Sequence, residues 1–245
     1  MASPALPVNI HVSTHPCLRA KLSQLRSKDA HARETKSLVH EIALIVGCEA
    51  LAKCLQTTSS GTFGHANPAD EQGETPLGYT FSTETITPNV ALVPVLRSGL
   101  GMLEDSSALQ ALLPEPVPVH HLGLFREPTT LQPIEYYNNL PYHRPTSVNP
   151  DPFPIPSIAI LLDPLIATGG TSSAAIQTLL EWGVRKVVVI SVLGSEEGVR
   201  RAAEENGSES VEVWVGGLDG QVDERGMIRP GLGDVGDRLF LTIGK

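Results

Sequence analysis

Asp163 closes an apolar run, Ile158-Ala-Ile-Leu-Leu162, and is followed by a turn of mostly small residues, Pro164-Leu165-Ile166-Ala167-Thr168-Gly169-Gly170-Thr171. Gly169 and Gly170 would let an anion approach the backbone closely. The Thr168 and Thr171 hydroxyls add donors, and a helix starting here would aim its first amides and its positive dipole end at the same point. Together these make a phosphate site. Asp163 adds a second kind of chemistry, because a carboxylate beside a bound phosphate repels it unless it holds something else. Vicinal sugar hydroxyls suit it, since one carboxylate can accept from both. Taken alone, the stretch equally describes a β-α turn with a solvated Asp and two capping threonines.

The flanking residues supply the elements that such a site needs. The run before Asp163 has no polar alternation, as in a parallel strand buried on both faces. After Thr171, Ala175, Ile176, Leu179 and Leu180 recur at helical spacing, and Gly183 stands where a helix ends. Lys186 to Leu193 is the next buried strand, so the turn lies at the carboxyl edge of a β-α-β unit, where open α/β sheets bind ligands. Val90 to Val95 is an earlier core strand that must place Pro94 where its missing N–H does no harm. Arg97-Ser98-Gly99 follows it directly, then a helical pattern with Leu100, Leu103, Leu109 and Leu112. An arginine there can offer a fork of donors to a diphosphate, or bridge a surface carboxylate.

Val117 to Leu124 is another strand candidate, and Arg126, Glu127, Tyr136, Tyr137 and His143 crowd the aperiodic loop beyond it. Loops of this kind are disordered or act as lids. Glu196 to Glu205 has a helical pattern and Val211 to Val215 a strand pattern, which makes the chain an α/β protein with a mostly parallel twisted sheet flanked by helices. Near the end, Gly231-Leu-Gly-Asp-Val-Gly236 matches GxGxxG. It follows Pro230, opens no predicted helix and has too little chain after it for a β-α-β unit, so the dinucleotide reading fails. It suits a glycine-rich hood whose backbone groups bond the edge of a flat base.

The remainder bounds the class. With 245 residues the chain can bury a large core, and we expect one domain: N-terminal helices over 1–55, an arm or loop over 56–87, the core over 88–217 and the hood over 218–245. Cys17 to Ser27 and a stretch from Asp29, with Leu38, Val39, Ile42, Ile45, Val46 and Leu51, are helical patterns expected on the sheet's flank or at a subunit interface. A net charge of −9 without a basic cluster, and 4% aromatic residues, argue against nucleic-acid or anionic-membrane surfaces. Three cysteines, Cys17, Cys48 and Cys54, form neither a disulfide framework nor a metal set, and the last two are expected to be buried. His11, His15, His31 and His40 are not spaced as metal ligands. No run approaches the ~20 apolar residues of a membrane span, and MASPALPVNIHVSTHP has no signal-peptide pattern. The expected compartment is reducing and cytoplasmic.

DPLIATGGT resembles the phosphoribosyl-diphosphate loop of the uracil phosphoribosyltransferases, usually DPMLATGGS. The resemblance extends to VPVLRSGLGM (Val93 to Met102), GLFREPTTLQPIEYYNNLP (Gly123 to Pro141) and PGLGDVGDRLF (Pro230 to Phe240), with a weaker echo in His11 to Lys21. Other type I phosphoribosyltransferases generally carry two acidic residues where this chain has Asp163-Pro164, which favours the uracil branch. The resemblance implies that Asp163, Pro164, Leu165, Ile166, Ala167, Thr168, Gly169, Gly170, Thr171 and Asp234 bind phosphoribosyl diphosphate, and that Arg97, Arg126, Asp163 and Asp234 are the catalytic residues. Arg97 and Arg126 would hold its diphosphate, the latter from a mobile lid. Ile228, Gly233, Asp234 and Val235 would contact uracil, with Asp234 also ordering water or magnesium.

Two departures stand out: Ser98 replaces a common Ala, and Met227 a usual Tyr. The resemblance further implies Mg²⁺ carried by the diphosphate, with no metal ligands from protein side chains, and a homodimer or homotetramer. Some relatives also respond to a GTP effector. Two rivals remain, a phosphoribosyltransferase for another base and a non-catalytic phosphoribosyl-diphosphate or nucleotide sensor.

Overall fold

Seven strands make the central sheet: β1 (Ile10–Val12), β2 (Val90–Leu96), β3 (Leu122–Arg126), β4 (Pro133–Asn138), β5 (Ile158–Leu162), β6 (Lys186–Ser191) and β7 (Val211–Val215). Their order is β1-β7-β6-β5-β2-β3-β4, parallel throughout except for the antiparallel pair β3-β4. In register, Val189 lies beside Leu161 and Leu161 beside Val93. The structure, a computed structural model, describes residues 5–59, 72–87, 89–103, 109–127, 129–130, 132–141 and 155–242.

Because side chains alternate along a strand, the unbroken apolar runs of β2, β5 and β6 supply two cores. On one face Leu92, Ile160, Leu162, Val188 and Ile190 pack with helices α1 (Pro16–Leu25) and α2 (Ala32–Cys54), and with Ile228, Leu232, Val235 and Leu239 from the C-terminal segment. On the other, Val93, Ala159, Leu161, Val187 and Val189 pack with α3 (Gly170–Trp182) and α4 (Glu196–Glu204). The apolar stripe of α2 is therefore satisfied on the sheet's flank. A second small sheet joins Leu165–Ile166, Leu193–Ser195 and Leu218–Asp219, all parallel, beyond the carboxyl ends of the main strands.

Several expectations need correcting. Helix α2 starts at Ala32 and not near Asp29, whose N–H is taken by the Ser27 hydroxyl in a turn. Cys48 is exposed and Cys54 half-buried, not core residues. The buried stripe of α2 passes through Val46, Gly47 and Ala50, and a turn of roughly 100° per residue carries Cys48 off it.

The strand expected over Val117 to Leu124 begins only at Leu122; before it, Pro118 and Val119 touch β2 through one isolated bridge. The loop beyond it returns as β4, so part of the expected lid is a hairpin. The strand from Lys186 stops at Ser191, and Leu193 crosses to the small sheet. GxGxxG does open a helix, α5 (Val235–Phe240), because Asp234 caps it by accepting from Asp237 N–H at 3.0 Å. No strand follows it among the described residues. The arm is β-structure where described, with Gln56–Ser59 paired to Glu84–Thr87 and Gln72–Glu74 to Thr80–Ser82. His143 lies outside the described residues, as does much of the helical pattern after Leu103.

Candidate active site

Strands β2 and β5 are neighbours whose following elements leave toward opposite edges of the sheet, β2 leading to β3 and β5 through α3 to β6. A crevice opens at the carboxyl ends of such a pair. Here it is a cleft of about 290 Å³ walled by the turn after β2, the β3-β4 hairpin, the turn after β5 and the C-terminal segment. Gly99 lets the two strand-end turns approach, since a Cβ there would lie 2.5 Å from the Leu162 carbonyl oxygen.

Of the residues read from sequence, Arg97, Arg126, Asp163, Leu165, Ala167, Thr168, Gly169, Thr171, Ile228, Gly233, Asp234 and Val235 line this cleft. Pro164, Ile166 and Gly170 do not; Ile166 is buried in the strand pairing of the small sheet and Gly170 is the first residue of α3. Gly169 caps α3 in the left-handed region with φ 76°, and its missing Cβ would sit 2.4 Å from the Gly198 carbonyl oxygen. Behind the loop, Ser195 joins two elements: its hydroxyl donates to the Ala167 carbonyl and accepts from Gly198 N–H, capping α4. As at any helix start, the first amides of α3 have no carbonyl one turn back, so they are available for an anion.

Asp163 is 5% exposed. Its Oδ2 accepts from the Ser172 hydroxyl at 2.7 Å. Burial pushes its carboxyl up from 3.8 to about 6, while the Ser172 hydroxyl and the Leu165 amide favour the ionised form.

The two arginines enter from different walls. Arg97, joined to Leu96 by a cis peptide, reaches Thr242 Oγ1 at 3.4 Å and Asp237 Oδ1 at 3.6 Å. Arg126, at the end of β3, donates to the Gly226 carbonyl at 2.9 Å. Both arginines are thus tied to the C-terminal segment.

That segment is itself anchored far away in sequence. Arg26, which caps α1, forms a fork with both Asp219 carboxylate oxygens at 2.8 and 2.7 Å and donates to Gly231 O at 2.7 Å, while Gly231 N–H donates to Asp219 at 2.9 Å. Arg238 donates to the carbonyls of Leu25, Leu232 and Ser27. These bonds tie the C-terminal segment to the end of α1. Met227 lines the cleft, with its N–H on Asp223 Oδ1 at 2.9 Å. Sequence reasoning did not single out Ser172, Ser195, Gly198 or Arg26. Ser195 alone carried a local signal, a hydroxyl directly before an acidic helical first turn.

A family model described as uracil phosphoribosyltransferase matches residues 12–242. The chain belongs to the uracil phosphoribosyltransferase family. It is 36% identical to the uracil phosphoribosyltransferase of Listeria welshimeri, with 96% of this chain and 99% of that one covered. It is 35% identical to that of Finegoldia magna, with 95% and 98% covered. Among solved structures, the AQ2163 protein of Aquifex aeolicus superposes with a TM-score of 0.75 at 28% identity, covering 96% of this chain and all of that one. The match spans all four motifs and both ends of the cleft, from α1 to α5. No helix among the described residues is long and apolar enough to cross a membrane.

Proposed function

We propose that this protein makes UMP and diphosphate from uracil and 5-phosphoribosyl 1-diphosphate. The observation that carries this reading is the convergence, in one cleft, of a helix-start phosphate loop, a buried carboxylate, two arginines and a glycine-rich hood, in a chain of this family.

The roles follow from the chemistry of each group. The 5-phosphate sits on the loop from Ala167 to Thr171, and the ribose hydroxyls donate to Asp163. Arg97 and Arg126 exchange their present acceptors for diphosphate oxygens. Uracil has two carbonyl acceptors and N–H donors, which the backbone around Ile228, Gly233 and Val235 can match. The C1–O bond breaks with its electron pair leaving on diphosphate, positive charge develops on the ribose as in glycosyl transfer generally, and uracil N1 bonds C1 as its proton is released. No protein nucleophile is needed; holding N1 and C1 in line can lower the barrier by roughly 7–11 kcal/mol.

The donor set fits a magnesium ion that arrives on the diphosphate. Among the described residues no group of three acidic, histidine or cysteine side chains could cage a metal; the cleft itself offers Asp163 and Asp234 beside two arginines. Asp234, with one oxygen on Asp237 N–H, would hold a magnesium-bound water. The ion would neutralise charge on the departing diphosphate. We also read the protein as a homodimer or homotetramer, a reading supported by the exposed Leu77, Tyr79 and Phe81 of the arm.

The test is UMP formation from labelled uracil with phosphoribosyl diphosphate and Mg²⁺, run beside hypoxanthine, adenine and orotate. Turnover of uracil alone is expected. Saturable phosphoribosyl-diphosphate binding without turnover of any base would replace the enzyme with a sensor.

A further inference from the structure

Ser172 occupies the third position of α3, 1% exposed, and its hydroxyl is directed at Asp163 across the strand-to-helix turn. The geometry points to Ser172 as a positioning residue for sugar binding, its hydroxyl locking the Asp163 carboxylate in the orientation that accepts the two ribose hydroxyls. This rests on the phosphoribosyl-transfer reading above and names a residue on which that reading does not depend.

A carboxylate in this position has a problem that Ser172 solves. Asp163 needs both of its oxygens as acceptors, yet it lies in a buried setting that favours the neutral acid, in which one oxygen carries a proton. The forces on it are burial, the Ser172 hydroxyl and the Leu165 amide. The charged groups that share the cleft are engaged elsewhere. Arg97 faces Thr242 and Asp237, Arg126 faces Gly226 O, and Asp234 caps α5. No arginine or lysine acts on Asp163 among the described residues, so a hydroxyl and an amide replace the cation that usually stabilises a buried carboxylate. The hydroxyl also sets the rotamer: it comes from the rigid first turn of α3, the same turn that holds the phosphate loop, so sugar and phosphate ligands share one support.

The experiment compares wild type, Ser172→Ala and Ser172→Thr as full-length protein. Two quantities are measured from pH 5.5 to 8.5: kcat/KM for phosphoribosyl diphosphate, and its dissociation constant by calorimetry without uracil. Losing a hydrogen bond to a buried charged acceptor should weaken binding about tenfold at pH 8 in Ser172→Ala. The acid limb should move up by about one pH unit, so the deficit deepens as the pH falls. Ser172→Thr, which keeps the hydroxyl, should restore the wild-type limb. If Thr does not fit the buried site, the Ser172→Ala pH profile decides alone. A Ser172→Ala profile that superimposes on wild type, or one lowered equally at every pH, would overturn the proposal while leaving the enzyme reading intact. Failure of wild type to turn over uracil would instead remove that reading.

Discussion

Replacing Asp163 by Asn keeps the side chain's shape and removes its charge, and the structure predicts opposite effects on stability and on activity. Burial raises the Asp163 carboxyl from 3.8 to about 6. Since 1.36 kcal/mol corresponds to one pKa unit, the ionised group costs the folded state about 3 kcal/mol above pH 7. The sign is that of a raised folded-state value: the favourable contribution of the protonated form is complete below 3.8 and is lost as the pH rises through about 6. Asn escapes this cost, because its carbonyl can take the Ser172 and Leu165 donors. For a domain of this size about 3 kcal/mol is worth roughly 6–12 °C in Tm. Asp163→Asn should therefore melt higher than wild type at pH 8, with roughly half of the advantage left at pH 5. Activity should move the other way. With its single carbonyl oxygen taken by the Ser172 and Leu165 donors, the amide has no acceptor left for two sugar hydroxyls, and losing charge-assisted bonds of ~1.5–3 kcal/mol each would lower UMP formation by at least about 100-fold. Paired thermal melts at the two pH values, with turnover on the same samples, check this. A lower Tm at pH 8, or an advantage independent of pH, would refute the argument that the carboxylate is held ionised against its surroundings.

Arg126→Ala should raise KM for phosphoribosyl diphosphate by about 10–100-fold with little change in Tm, because the hydrogen bond that the side chain gives up is to Gly226 O in a half-buried position. Unchanged kinetics would remove the arginine from the diphosphate site. Gly169→Ala places a Cβ against the Gly198 carbonyl at a positive φ, and should destabilise the protein by at least about 1–3 kcal/mol and impair phosphoribosyl-diphosphate binding; denaturant melts and calorimetry read both. Arg26→Ala leaves the Asp219 carboxylate, 7% exposed at its side chain, without its fork. A stability loss of about 2–4 kcal/mol is expected, together with a larger rise in KM for uracil than for phosphoribosyl diphosphate, since Arg26 also holds Gly231. Equal effects on both substrates would argue against a hood role.

What could be read from the sequence was what neighbouring residues decide. The unbroken apolar runs of β2, β5 and β6, the glycine turn, the helix ending at Gly183 with φ 112° and the candidate ligands were legible because each depends on spacing within a few residues. The short strands and helix ends were less so. Ser27 capturing an amide shifted the start of α2, and one cap on Asp234 opened a helix in a segment read as irregular.

Tertiary structure decided how these pieces meet. Arg26 holds Asp219 across 193 residues and Arg238 holds Leu25 across 213; no periodicity encodes such pairs, because they exist only once the chain's two ends lie on the same face of the sheet. The burial of Asp163, which raises its carboxyl to about 6, is likewise set by what packs around it. Residue type and spacing thus supplied the carboxylate, the arginines and the glycine turn that line the cleft. Long-range closure set the dielectric around them, their hydrogen-bond partners and the C-terminal segment that faces them.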